Sequence, residues 1–211
     1  MHERVLPRGS GELLAKLSGR GEPDILRGWA LAGGTGLALR LGHRVSEDLD
    51  FFRTDDVDVQ ALHVLFKQCD VYETLQDSQH TVTVLLMGVK LSFFRVRDPF
   101  LFPATPYRFF AVADARDVAL MKLAAISSRG SRKDFVDLHT ILRDGPTLQD
   151  YFALLPKKYG ASRVNAYHIL KCLTYFADAE QEPMPEMLEP FDWEECKRFF
   201  VREARAILLP G

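Results

Sequence analysis

The apolar pattern of this chain changes its period about halfway along, and that change limits the fold more than any other feature. Up to residue 97, short apolar runs alternate with turn residues. Trp29-Ala30-Leu31-Ala32 runs into Gly33-Gly34, and Leu49-Asp50-Phe51-Phe52 forms a second run. Residues 81–87 and 89–96 flank Gly88, which suggests a tight hairpin. Helical spacing appears between these runs: Leu13, Leu14 and Leu17; Leu37, Leu39 and Leu41 within 35–42; and Val57, Ala61, Leu62, Leu65 and Phe66 within 57–67. Gly19, Gly21 and Pro23 should end the first helix. Asp98 to Pro106 carries three prolines and reads as a loop. From Asp114 onward helices are expected at 114–128, 132–143, 147–157, 162–178 and 192–208, with Pro183, Pro185 and Pro190 before the last. The expected class is α+β. A small mixed sheet with flanking helices would occupy residues 1–105, and a helical region would follow over 106–211.

Composition narrows the setting. With 211 residues, 47% hydrophobic and 27% charged, the chain can bury a core without disulfides or metal staples. No window approaches the ~18 consecutive apolar residues of a membrane helix, and the N-terminus lacks a signal-like apolar stretch. A soluble, cytoplasmic protein with no membrane partner is expected. Cys69, Cys172 and Cys196 form no CxxC pair and read as reduced thiols. A net charge of -2 excludes broad attraction to nucleic acid, so polynucleotide binding would need a local basic patch.

Three features can carry chemistry. Gly33-Gly34-Thr35 lies between a strand and a helix. Glycines let the backbone approach a ligand, and the N–H groups of the helix start can bind a phosphate. The same residues also suit a plain turn with Thr35 as N-cap. Asp48 and Asp50 share one face of a strand, with Leu49 and Phe51 on the other. Their mutual repulsion is relieved by a divalent cation, and magnesium suits carboxylates plus nucleotide phosphates. An exposed acidic strand edge is the alternative. Lys122 is the one charged residue in the run 118–126. An ammonium buried there must be paired or functional, unless it reaches out between helices. Downstream, Ser131 and Asp134 match a capping-box spacing, and Arg129, Arg132 and Lys133 make a small basic cluster.

Together these residues resemble the AbiEii/AbiGii-type nucleotidyltransferases. Those are toxins of toxin–antitoxin and abortive-infection systems, within the DNA polymerase β-like nucleotidyltransferase superfamily. The resemblance rests on Leu31 to Phe52. There Gly33-Gly34 is followed, after thirteen residues, by Asp48-Leu-Asp50 within the run His43-Arg44-x-Ser46-x-Asp48-Leu-Asp50-Phe-Phe. Lys122 and the run Lys133-Asp134-Phe-x-Asp137-Leu match the family's downstream part, so the likeness spans about residues 28–142. It implies a nucleotidyltransferase fold and transfer of a nucleoside monophosphate from an NTP to an RNA (such as tRNA) or protein acceptor. It also implies a Mg2+ or Mn2+ ion on Asp48 and Asp50. Gly33, Gly34 and Thr35 would hold the triphosphate, Lys122 would neutralise it, and Arg44 and Lys133 would assist. If the protein is a toxin, an antitoxin encoded beside it is expected.

One departure bears on catalysis. The superfamily takes a third carboxylate from a later strand, and at the matching place, Val89-Lys-Leu-Ser92, this chain has serine. Serine cannot supply the general base. Asp134 or Asp137 substitutes, two carboxylates suffice, or the fold persists as a catalytically silent nucleotide- or partner-binding module. Asp48 and Asp50 should lie within a few ångströms of the Gly33-Gly34 turn, and Lys122 should point into the cleft between the halves.

Overall fold

The computed structural model describes residues 1–19 and 23–208; Gly21, one of the expected helix breakers, lies outside them. The chain divides into two compact units, Met1–Asp114 and Ala115–Gly211.

The first unit is built on a sheet of seven strands among the described residues: β1 (Ala30–Leu31), β2 (Asp48–Arg53), β3 (Tyr72–Ser78), β4 (Thr81–Leu86), β5 (Val89–Arg95), β6 (Thr105–Tyr107) and β7 (Phe110–Val112). Their order is β3-β4-β5-β2-β1-β7-β6. β2 runs parallel to β5 and β1 parallel to β7, while the other neighbours are antiparallel. The sheet is thus mixed, as expected. Its core forms where the alternating apolar residues meet. Phe51 stacks on Phe93 at 5.0 Å, and Trp29 meets Phe93 edge-on at 5.0 Å. Leu13, Leu14 and Leu17 of α1 (Ser10–Gly19) are buried, as are Leu62, Leu65 and Phe66 of α4 (Val59–Cys69). A short α2 (Pro23–Leu26) precedes β1, and α3 (Gly33–Leu41) follows it.

Three strands differ from expectation. β3 is an edge strand whose residues after Tyr72 are all exposed, so it carries no apolar alternation for a sequence pattern to show. β6 and β7 fall where a proline-rich loop is expected. Pro106 is tolerated because β6 is the opposite edge, where a missing N–H costs no ladder bond. Arg108 turns that hairpin at φ 51°, without the glycine or asparagine that marks such a turn.

The second unit is helical: α5 (Ala115–Ser128), α6 (Arg132–Asp144), α7 (Leu148–Tyr159), α8 (Ala166–Cys172), α9 (Ala177–Gln181) and α10 (Trp193–Ala206). One long helix over 162–178 is not formed. Asn165 caps α8 by accepting the His168 N–H at 3.0 Å, and a turn at 173–176 separates α8 from α9. Phe135 packs edge-on against Phe200 at 5.4 Å in the centre of this unit. No described helix is long and apolar enough to cross a membrane. None of the three cysteines forms a disulfide, and Cys69 and Cys196 are buried.

Candidate active site

The β1–α3 turn and β2 bring the expected residues of the first unit together. Strand β2 buries Leu49 and Phe51 and leaves Asp48 and Asp50 half-buried on its other face. α3 begins at Gly33, with Ala32 in the N-cap position and no side chain closing the cap. Thr35 is therefore inside the first turn and is not the N-cap. Its buried hydroxyl donates to the Asp48 carbonyl and lies 2.6 Å from Ser46 Oγ, which locks α3 to the start of β2. The first N–H groups of a helix have no intrahelical partner, so this end of α3 is electropositive.

Glycine suits two positions here. Gly33 adopts φ 61°, and a Cβ there would come 3.4 Å from Asp50 Oδ2, so the Asp50 carboxylate lies against the helix start. A Cβ on Gly34 would fall 2.3 Å from Arg44 Nη2. Arg44 is buried, donates to the Val45 carbonyl at 2.9 Å, and lays its guanidinium on Gly34. Gly33, Gly34, Thr35, Arg44, Asp48 and Asp50 thus form one constellation in the first unit.

Strand β5 completes the face. Its parallel register sets Lys90 beside Asp48 and Ser92 beside Asp50. Lys90 Nζ lies 3.4 Å from Asp48 Oδ2. Ser92 is buried and adds no charge. Lys90 thus lies on the face of the two aspartates, although motif matching passes over it. The alternation of Lys90 and Ser92 with Leu91 and Phe93 was the available signal, because it puts the first two on the face opposite the core. No group of three or more His, Cys, Asp or Glu among the described residues is placed to hold a metal. Asp48 and Asp50 nevertheless present hard oxygen donors side by side next to an electropositive helix end. That suits a magnesium ion that retains waters and shares phosphate oxygens.

The remaining expected residues lie in the second unit. Lys122 on α5 is buried, with Nζ 2.7 Å from Asp134 Oδ1 and 2.7 Å from Asp137 Oδ2. Arg129 adds a two-pronged contact to Asp134, at 2.8 and 3.0 Å. Burial opposes the Lys122 charge, but Asp137 and Asp134 outweigh it and hold its pKa above the ordinary lysine value. Burial likewise opposes ionisation of Asp134, and Lys122 and Arg129 overcome it, leaving its carboxyl below the usual aspartate value. The capping box expected at Ser131 and Asp134 does not form. Ser131 donates to Glu182 at 2.7 Å, and Asp134 is turned inward to the two cations. Lys133 is exposed on α6. A second buried pair, Lys158 with Asp117 at 2.8 Å, was not visible in any motif.

Comparisons with known proteins agree with this fold. The family model described as "Nucleotidyl transferase AbiEii toxin, Type IV TA system" matches residues 21–208. An uncharacterized protein of Aquifex aeolicus (strain VF5), aq_aa25, is 36% identical, covering 97% of this chain and 98% of its own. Among solved structures, MenT4, the nucleotidyltransferase toxin Rv2826c of Mycobacterium tuberculosis H37Rv, superposes with a TM-score of 0.54 at 15% identity, covering 92% of this chain and 87% of that one. JHP933 of Helicobacter pylori gives 0.52 at 18% identity, with 93% and 90% covered. Those two structures share the fold. The family match over nearly the whole chain, joined to the Gly33-Gly34 and Asp48-x-Asp50 arrangement, makes this protein a member of the AbiEii nucleotidyltransferase toxin family.

Proposed function

We propose that the protein transfers a nucleoside monophosphate from an NTP to an acceptor hydroxyl, using the β2 face and the start of α3. The observation that carries this is the pair Asp48 and Asp50 on one strand face, with Asp50 against Gly33 at the helix N-terminus. The backbone N–H groups of Gly33, Gly34 and Thr35 would receive phosphate oxygens, and Arg44 would add charge beside Gly34. Asp48 and Asp50 would hold a Mg2+ or Mn2+ ion, which supplies neutralisation of the phosphate charge when bound. The acceptor oxygen attacks the α-phosphorus, the bond from that phosphorus to the bridging oxygen breaks, and pyrophosphate leaves. The acceptor's proton passes to solvent or to a carboxylate.

Two carboxylates are enough in this proposal, because phosphoryl-type transfer rests mainly on positioning and electrostatics. Asp134 and Asp137 are engaged by Lys122, and a lowered pKa makes Asp134 a weaker proton acceptor. For Lys122 and Lys133 the proposed part is neutralising the triphosphate, and it rests on the family pattern alone. The acceptor is proposed to be RNA or a protein side chain, and a cognate antitoxin is the expected genetic partner.

Ser92 beside Asp50 favours a second reading, in which the fold binds nucleotide without transfer. Incubation with each α-labelled NTP, Mg2+ and either total RNA or total protein separates the two. Label in one acceptor class supports transfer and identifies the class. Nucleotide binding with no label in either supports the silent module.

A further inference from the structure

The two carboxylates of the β2 face have different resident partners. Asp50 leans on the start of α3, where a Cβ on Gly33 would meet its Oδ2 at 3.4 Å. Asp48 faces Lys90 across the β2–β5 register, with Nζ 3.4 Å from Oδ2. The next residue of β5 on that face is Ser92, so Lys90 is the one charge β5 presents beside the aspartates. We infer that Lys90 is a built-in counter-cation for Asp48, which a divalent metal must displace to enter, so that Lys90 sets how tightly the site takes its metal. This rests on the proposal that Asp48 and Asp50 hold that metal.

The chemistry follows from charge and access. An ammonium near Asp48 Oδ2 and a divalent cation compete for the same oxygen and repel each other. The Lys90 and Asp48 side chains are 45% and 31% exposed, so the pair is hydrated and the lysine can swing away on its four-carbon stem. A pair this exposed is weak, so Lys90 lowers metal affinity without abolishing it. No bond forms or breaks and no proton moves; one cation replaces another.

The test is direct Mn2+ binding to the full chain without nucleotide, read by the EPR signal of free Mn2+. Wild type, Lys90→Gln, Lys90→Arg and Asp48→Asn are compared at low salt. Lys90→Gln should bind Mn2+ roughly twofold to tenfold more tightly than wild type, and the gap should narrow as salt is raised. Lys90→Arg, which keeps the charge, should stay close to wild type. Equal or weaker binding by Lys90→Gln would overturn the counter-cation role while leaving the metal site in place. Mn2+ binding by Asp48→Asn equal to wild type would instead overturn the metal assignment itself, and the Lys90 inference with it.

Discussion

Each unit of this protein holds a cluster of two aspartates and a lysine, and the two clusters are built in opposite ways. In the helical unit, Asp134 and Asp137 are buried and Lys122 sits 2.7 Å from each, with Arg129 also on Asp134. In the sheet unit, Asp48 and Asp50 are half-buried, and Lys90 reaches Asp48 at 3.4 Å from a partly exposed position. Burying charges is tolerated only when they are paired, so the first set is closed by its own pairing. Exposed charges interact weakly, so the second set is open and can exchange partners. The same residue types are therefore closed off by their own pairing in one place and, under the proposed function, open to a ligand in the other. Exposure and pairing distance decide between them.

The contrast is sharpest in stability. Lys122→Met should cost about 3–5 kcal/mol, because it leaves two buried carboxylates without their shared cation. Urea denaturation measures it, and a loss below about 1 kcal/mol would erase the distinction between the two sets. Next in size is Ser92→Asp, which adds a third carboxylate beside Asp50 at a buried position. It should cost about 1–3 kcal/mol in metal-free buffer, with a good part recovered on adding Mn2+. A cost that Mn2+ leaves unchanged would mean that the face does not gather cations.

The pH dependence separates the closed set from its surroundings. Asp134 lies below the ordinary aspartate value of 3.8, so its contribution is present above 3.8 and is lost as pH falls through its folded value. Lys122 lies above 10.5, so its contribution is present below 10.5 and is lost as pH rises through its folded value. Between those limits Asp134 and Lys122 should add no slope. His139, among the rings of Phe191, Phe199 and Phe200, is pushed below 6.5 by burial and then by Arg143. The unfolded chain takes up that proton first, so stability should fall as pH drops from 6.5, by at most about 1.4 kcal/mol per pH unit. Denaturation at pH 7.5 and 5.5 should show this slope in wild type and a smaller one in His139→Phe. The smallest effect belongs to Asp48→Asn, which should leave stability within about 0.5 kcal/mol of wild type, since its pair with Lys90 is exposed.

Much of this was legible in the sequence. The period-2 alternation in β2 assigns Asp48 and Asp50 to one face and Leu49 and Phe51 to the core. The glycine pair before a helical pattern marks the β1–α3 turn. What escaped did so for physical reasons. β3 lies at an edge with both faces wet, so burial imposes no pattern on it. β6 contains a proline that only an edge position permits. The Ser131–Asp134 spacing suits a capping box, yet the buried Lys122 and the exposed Arg129 are stronger partners for Asp134 than a backbone N–H. Alternation along β5 gives the face of Lys90, but its place beside Asp48 comes only from the β2–β5 register.

The most direct test joins function and stability at the open pair. Labelled nucleotide transfer to total RNA and total protein with Mg2+ is measured for wild type, Asp48→Asn and Asp50→Asn, alongside urea denaturation of each. Transfer by wild type, a fall of at least about 100-fold in both variants, and an unfolding free energy within about 0.5 kcal/mol of wild type for Asp48→Asn are expected. Transfer that survives both substitutions would contradict the assignment of Asp48 and Asp50 as the reacting centre.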